Sequence, residues 1–273
     1  MALIPPFFLD CVVSIGVPNP NAAPSWIGTG FVVGRYASEQ EGQKQYMTFL
    51  VTNKHVLQNK DDVILRFGNS DHSGILDYPV KLQDQNGPIW VGNPSQDIDV
   101  AAFFINPKVL EKDTAAFSFF ALDEHAIGVA EMKESGVSEG DGVFVLGFPM
   151  GIVAEQTMHV IARAGFIARI RDVLDSQNPA FLIDANIFPG NSGGPVVIRP
   201  ELSSIQGTKA ISRSDLIGIV KSYVPYRDVA ISQQTGNPRV IFEENSGLAL
   251  VETVDSIRAT VDLCHQLRVA PNL

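Results

Sequence analysis

Apolar residues fall in short runs rich in Val, Ile and Phe, and clusters of Gly, Pro, Asn and Asp interrupt them along the whole chain. Runs of this kind predict β-strands joined by turns. Cys11–Val17 reads as a first strand and Gly28–Val33 as a second, while residues 35–45 are polar enough for a hairpin loop ahead of the strand that ends at His55. Asp62–Phe67, Tyr78–Leu82 and Val100–Ile105 continue the series, and the mixed stretch Asn106–Gly140 links it to a second set of strands. That set runs from Gly142 through Gly165, Phe181, Val196, Leu216 and Val240 to Leu250. After Glu252 the period changes. Val254, Ile257, Val261, Cys264 and Leu267 recur at helical steps, with Thr253 in position to cap and Asp255 in the first turn, which predicts an amphipathic C-terminal helix.

Composition fits this picture. In 273 residues, a 45% hydrophobic content is enough for real cores, and 23 glycines and 17 prolines are spread through the chain as many short strands require. A net charge of -10 argues against a nucleic-acid partner; Arg163, Arg169 and Arg171 read as outward positions of a strand. No apolar stretch approaches the length of a membrane span. The two cysteines, Cys11 and Cys264, permit one disulfide at most. Residues Met1–Asp10 lack a basic n-region and break their apolar run with Pro5, Pro6 and Asp10, so a soluble cytoplasmic protein is the expectation.

The chemistry concentrates in Phe188-Pro189-Gly190-Asn191-Ser192-Gly193-Gly194-Pro195, which sets one serine among small residues ahead of the β-branched Val196-Val197. Glycines on both sides let backbone N–H groups turn toward a developing oxyanion and leave room for a substrate carbonyl. Serine needs a base to become a nucleophile, and the base needs an acid to fix its tautomer.

Five histidines are available. His72 lies in a turn-like segment, His125 in a polar linker, His159 in an alternating stretch and His265 on the predicted helix. His55 stands apart, at the end of the run Phe49-Leu50-Val51-Thr52-Asn53-Lys54, where a strand delivers a side chain to a loop mouth. For the acid, Asp97-Ile98-Asp99-Val100 opens a strand too apolar for the surface, and an aspartate buried there requires a partner. Asp97 and Asp99 share a strand face, so alternation leaves both open.

Taken in order, Gly28-Thr29-Gly30-Phe31, Thr52-Asn53-Lys54-His55-Val56, Asp99-Val100-Ala101-Ala102, Leu146-Gly147-Phe148-Pro149-Met150-Gly151 and Ile183-Asp184-Ala185-Asn186 leading into the serine motif resemble a chymotrypsin-fold serine protease. The likeness is greatest to the trypsin-like peptidases of the HtrA type. It implies an all-β fold of two six-stranded antiparallel β-barrels with a C-terminal α-helix. It also implies one peptidase domain over residues 1–273, with barrels at about 10–110 and 140–250 and a helix at 252–268. It assigns His55, Asp99 and Ser192 as the triad, selecting Asp99 over Asp97, and gives the oxyanion hole to the N–H groups of Gly190 and Ser192. No cofactor or metal is implied, and the implied partner is a protein or peptide substrate.

The resemblance also locates the primary pocket near Asn186, with Ser222 and Tyr223 in its wall. No charge stands at Asn186, so cleavage after lysine or arginine is not expected. Tyr223 replaces a glycine of digestive relatives and would narrow the slot toward small or medium apolar side chains, while Lys221 reads as a solvated surface charge. Asn191 stands where those relatives carry an aspartate that pairs with a newly cut N-terminus. Activation by cleavage is therefore not expected, and control would act through loop ordering. No PDZ module follows before Leu273, unlike the usual HtrA architecture.

Two other readings compete. Gly190-Asn191-Ser192-Gly193-Gly194 also fits the G-x-S-x-G elbow of α/β-hydrolases, but the residues after it are strand-like and proline-bounded, and only His265 lies downstream. A protease fold retained for peptide binding or assembly, without catalysis, is compatible with the same motifs.

Overall fold

The computed structural model describes residues 3–175, 178–201, 205 and 209–269. Its first half holds β1 (Val12–Val17), β2 (Ser25–Gln40), β3 (Gln43–Asn53), β4 (Asp62–Asn69), β5 (Ile75–Lys81) and β6 (Val100–Phe104). They pair in the order β5-β4-β1-β2-β3-β6, and among the described residues no ladder joins β5 to β6. The second half holds β7 (Gly142–Gly147), β8 (Ile161–Arg169), β9 (Ala180–Asp184), β10 (Pro195–Ile198), β11 (Leu216–Ile231) and β12 (Pro238–Thr253), closed into a barrel in the order β7-β8-β9-β12-β11-β10. One helical turn, α1 (Lys54–Leu57), follows β3, and α2 (Val254–Cys264) follows β12. The mostly antiparallel, all-β class with a C-terminal helix is thus observed, but among the described residues only the second half closes as a six-stranded barrel; in the first half the short strands Val91–Gly92, Ala115–Ala116 and Phe120–Ala121 bring the sheet to nine strands.

The two-residue strand period explains the long apolar runs of the first half. Val13, Val32 and Leu50 point into the core enclosed by that half, with Leu65 and Phe103. Their neighbours Val12, Phe31, Val33, Phe49 and Val51 point the other way, into a layer shared with Leu146, Phe148 and Val197 of the second barrel and with Val254, Ile257 and Val261 of α2. A sheet buried on both faces has no polar positions to alternate with. The second barrel has its own core, including Val143, Val145, Ile167, Phe181, Ile183 and Val251. Because a shared apolar layer welds the halves together, side chains from each meet at fixed positions along their junction.

Several local expectations change. Residues 35–45 are not a loop: the β2–β3 ladder runs to Gln40 opposite Gln43 through a tight turn in which Glu41 and Gly42 both have positive φ. The link between the halves contains short helices at Pro107–Lys112 and Val129–Ser135. Thr253 occupies the N-cap position of α2 but makes no capping side-chain bond. Beyond Cys264 the helix widens into a π-type turn, His265–Val269, which turns Leu267 outward and Val269 inward. Cys11 and Cys264 are buried free thiols in the shared layer, and burial raises both above the ordinary thiol range, Cys264 to about 11. No helix among the described residues is long and apolar enough to cross a membrane.

Candidate active site

β3 and α1 bring His55 to the junction. The carbonyl of Asp99, just ahead of β6, accepts the Lys54 N–H at 2.8 Å and the Asn53 side-chain amide at 3.1 Å, which locks the α1 turn against the start of β6. The Asp99 carboxylate then meets His55 with both oxygens. Oδ1 accepts the His55 backbone N–H at 3.2 Å and Oδ2 lies 2.5 Å from Nδ1. With Nδ1–H donating to Asp99, Nε2 is left as the basic nitrogen. The imidazole is 48% exposed and the Asp99 side chain 20%, so the base is reachable while its acid is sheltered. Asp97 does not touch the imidazole; its exposed side chain leaves only its backbone engaged, the N–H with Ser95 and the carbonyl with Lys221.

The serine loop is built from the second half. The Gly193 N–H donates to the Val220 carbonyl at 3.0 Å, the Val220 N–H donates to Gly194 at 2.9 Å, and the Gly194 N–H closes a turn on Asn191 at 2.9 Å. Gly193 has φ of +83°, and a Cβ there would collide with the Thr29 carbonyl and Thr52 Oγ1 and lie 3.3 Å from the Asn53 nitrogen. The nucleophile loop is therefore pressed against the segment Thr52-Asn53 that leads into His55. No hydrogen bond joins Ser192 Oγ to His55 among the described residues, a looseness common in substrate-free sites.

Gly190, with φ of +97°, passes so close to Phe148 that a Cβ would strike the Phe148 carbonyl. The Pro189 carbonyl accepts the Met150 N–H at 2.5 Å, so the trans peptide points the Gly190 N–H the opposite way. Neither that N–H nor the N–H of Ser192 has a protein acceptor among the described residues. Asn191 is buried, and its side-chain nitrogen has no partner.

Asn186, Ser222 and Tyr223 come to one end of the second barrel. Ser222 and Tyr223 on β11 pair with Leu250 and Ala249 on β12, and exposed Asn186 follows β9, whose Ile183 and Asp184 pair with Ala249 and Leu248. The stretch Gly247–Ala249 thus stands between them. Tyr223 Oη donates to Glu243 Oε1 at 2.7 Å, and Arg227 Nε holds the other oxygen at 2.8 Å. This bonding raises the Tyr223 phenol above its ordinary value and lowers the Glu243 carboxyl.

Lys221 is not a solvated charge. Its Nζ pairs with Glu252 Oε1 at 3.1 Å and donates to the Asp97 carbonyl, because the next strand presents a fully buried acid to it. Glu252 has no motif around it, yet it directly follows the apolar Leu248-Ala249-Leu250-Val251 as Asp99 directly precedes the apolar Val100-Ala101-Ala102. Thr29, legible only as part of a Gly-Thr-Gly string, proves to be the residue that bridges the halves at the serine loop. A cavity of about 590 Å³ adjoins the site, lined in part by Asp97, Arg169, Lys221, Leu182 and Leu250.

The other histidines lie elsewhere. His72 is in an exposed turn at positive φ, His159 is exposed, and His265 opens the π-type turn. His125 is no simple linker residue: it packs against Phe7 and accepts the Ala121 N–H, and burial lowers its pKa. No cluster of three or more His, Cys, Asp and Glu side chains among the described residues is arranged to hold a metal ion.

The profile of the trypsin-like peptidase domain family matches residues 28–200. Among solved structures, the chain is similar to the VesB protease of Vibrio cholerae, with a TM-score of 0.47 and 13% identity over 93% of this chain and 63% of that one. It is also similar to the inactive form of the Rv3671c protease, with a TM-score of 0.41 and 18% identity over 93% of this chain and 89% of that one. The chain therefore spans less than two thirds of the length of VesB. No curated protein matches it.

Proposed function

The chain belongs to the trypsin-like peptidase family, and from that membership we propose that it is a serine endopeptidase acting on protein or peptide substrates through His55, Asp99 and Ser192. The observation that carries this reading is the two-point contact of the Asp99 carboxylate with His55, beside a serine loop pressed against the same turn. His55 Nε2 takes the Ser192 hydroxyl proton as Oγ attacks the substrate carbonyl, and then gives it to the leaving amine. Asp99 orients the imidazole and stabilises its charged form. In deacylation water attacks the acyl carbonyl and gives its proton to His55 Nε2, which returns one to Ser192 Oγ as the carboxylic acid product leaves.

The N–H groups of Gly190 and Ser192, which lack protein acceptors among the described residues, serve as the oxyanion hole, each contributing about 3 kcal/mol to the transition state. Asn186, Ser222 and Tyr223 border the primary pocket. Because His55 and Asp99 come from the first half and Ser192 from the second, the acting unit is one domain that includes both halves.

The same motifs allow a second reading, a resting or retired protease that binds peptides without cleaving them. Labelling with a fluorophosphonate probe separates the two. Covalent modification of the wild type, absent in Ser192→Ala and sharply reduced in His55→Ala, is the expected result. A folded wild-type chain that remains unlabelled would instead favour a latent enzyme awaiting an activator or a retired one kept for binding.

A further inference from the structure

Glu252 is the penultimate residue of β12 and has no exposure to solvent. Its Oε1 accepts the backbone N–H of Asp99 at 2.7 Å and the Lys221 ammonium at 3.1 Å, while Oε2 is buried without a partner. Lys221, on β11, also donates to the carbonyl of Asp97. One ion pair from the second barrel therefore holds the short segment Asp97-Ile98-Asp99 at both ends. Asn53 and Lys54 hold the Asp99 carbonyl from the other side.

Keeping a carboxylate out of water is costly, and a well-packed apolar side chain in its place is often neutral or stabilising. Burial does raise the Glu252 pKa, opposed by the Asp99 N–H and Lys221 and reinforced by the Asp99 charge. Stability alone gives no reason for an acid here. Position does, because the backbone atoms that Glu252 and Lys221 grip are those that aim the Asp99 carboxylate.

We propose that Glu252 and Lys221 are positioning residues for the triad, fixing the Asp97–Asp99 backbone from the second barrel so that the Asp99 carboxylate meets both N–H groups of His55. The proposal rests on the protease reading above. It also gives the pocket strand and the triad a common anchor, since Lys221 directly precedes Ser222 and Tyr223 on β11.

The test compares Glu252→Leu, Glu252→Gln, Lys221→Met and the double variant Lys221→Met/Glu252→Gln. Kinetics on a peptide substrate are read together with the hydrogen-bonded Nδ1 proton resonance of His55. In Glu252→Leu, kcat is expected to fall about 10²-fold with KM little changed, the loss typical of a misaimed catalytic group, and the His55 proton resonance is expected to shift. Glu252→Gln keeps an acceptor for the Asp99 N–H and should lose less. Lys221→Met strands a buried charge and should lose more than the double variant, which removes both charges.

Wild-type kcat and an unmoved resonance in Glu252→Leu, or a double variant whose losses simply add, would overturn the proposal. If Glu252→Leu does not fold, the Gln and double variants carry the same comparison. Should the wild type neither label nor cleave, the protease reading fails, whereas the resonance comparison still decides whether Glu252 positions Asp99.

Discussion

Thr29 Oγ1 donates to the carbonyl of Gly190 at 2.6 Å, so a residue of the first half holds the candidate oxyanion loop of the second. The same hydroxyl accepts the Phe148 N–H at 3.1 Å, and the Thr29 N–H holds the Ser192 carbonyl at 2.9 Å. The Thr29 carbonyl in turn receives Thr52 Oγ1 at 2.8 Å, two residues before Lys54. The loop and the strand leading to the base are thereby tied to one buried residue, through its hydroxyl and its backbone together.

Thr29→Val keeps the shape and removes the hydroxyl, leaving the buried Phe148 N–H without its acceptor. The expected loss of stability is about 1–3 kcal/mol, with slower probe labelling because the Gly190 carbonyl is freed, whereas Thr29→Ser should stay near the wild type. Urea unfolding and labelling rates measure the two effects. A Val variant that labels as fast as the wild type would show that the loop is held by other contacts.

Asp97 and Asp99 are two residues apart but only Asp99 reaches the imidazole. Asp99→Asn should lower kcat by about 10⁴-fold, since the amide favours the wrong histidine tautomer. Asp97 works through its backbone, so Asp97→Asn should leave kcat nearly intact. Equal losses in both variants would reverse the assignment.

This pair also shows where the sequence is readable. Strand runs, the helix at Val254 and the settings of His55 and Ser192 carry local signals of period and composition. The choice between two acids on one strand face does not, because it is made by Asn53 and Lys54 of the neighbouring strand and turn gripping one carbonyl. Residues 35–45 read as a loop because a ribbon with both faces in water loses the apolar alternation that marks a strand, although its ladder continues. Lys221 and Glu252 lie on neighbouring strands far apart in the chain, and nothing local announces that their charges meet.

Glu139 offers a test of acid stability away from the site. Its Oε1 accepts the N–H groups of Ile170 and Arg171 at 3.1 and 3.3 Å, which pulls its pKa from 4.5 to about 2. A folded value below the unfolded one means that the stabilisation is complete above about pH 4.5 and disappears as pH falls toward 2. Because the group is partly exposed, its worth is no more than about 1 kcal/mol. Glu139→Gln should therefore unfold at lower urea than the wild type at pH 7, and the gap should close by pH 2. A gap that persists unchanged at pH 2 would show that the carboxylate charge is not its source.

Tyr223 makes specificity testable. On β11 it lies opposite Ala249, beside the Gly247–Ala249 stretch that adjoins Asn186, and its ring leans along the ribbon to bond Glu243 at 2.7 Å. In the proposed pocket, a ring pinned this way would narrow the slot, and neutral Asn186 would offer no partner for a charged side chain. Cleavage is expected after small or medium apolar residues. Tyr223→Gly should raise kcat/KM for a large aromatic residue at that position by about 10²-fold, the scale on which pocket size discriminates. Tyr223→Phe loses the bond to Glu243 but keeps the ring, so its preference should follow the wild type. A panel of peptides differing only at the residue before the cut measures all three chains, and preferred cleavage after arginine by the wild type would remove Asn186 and Tyr223 from the pocket.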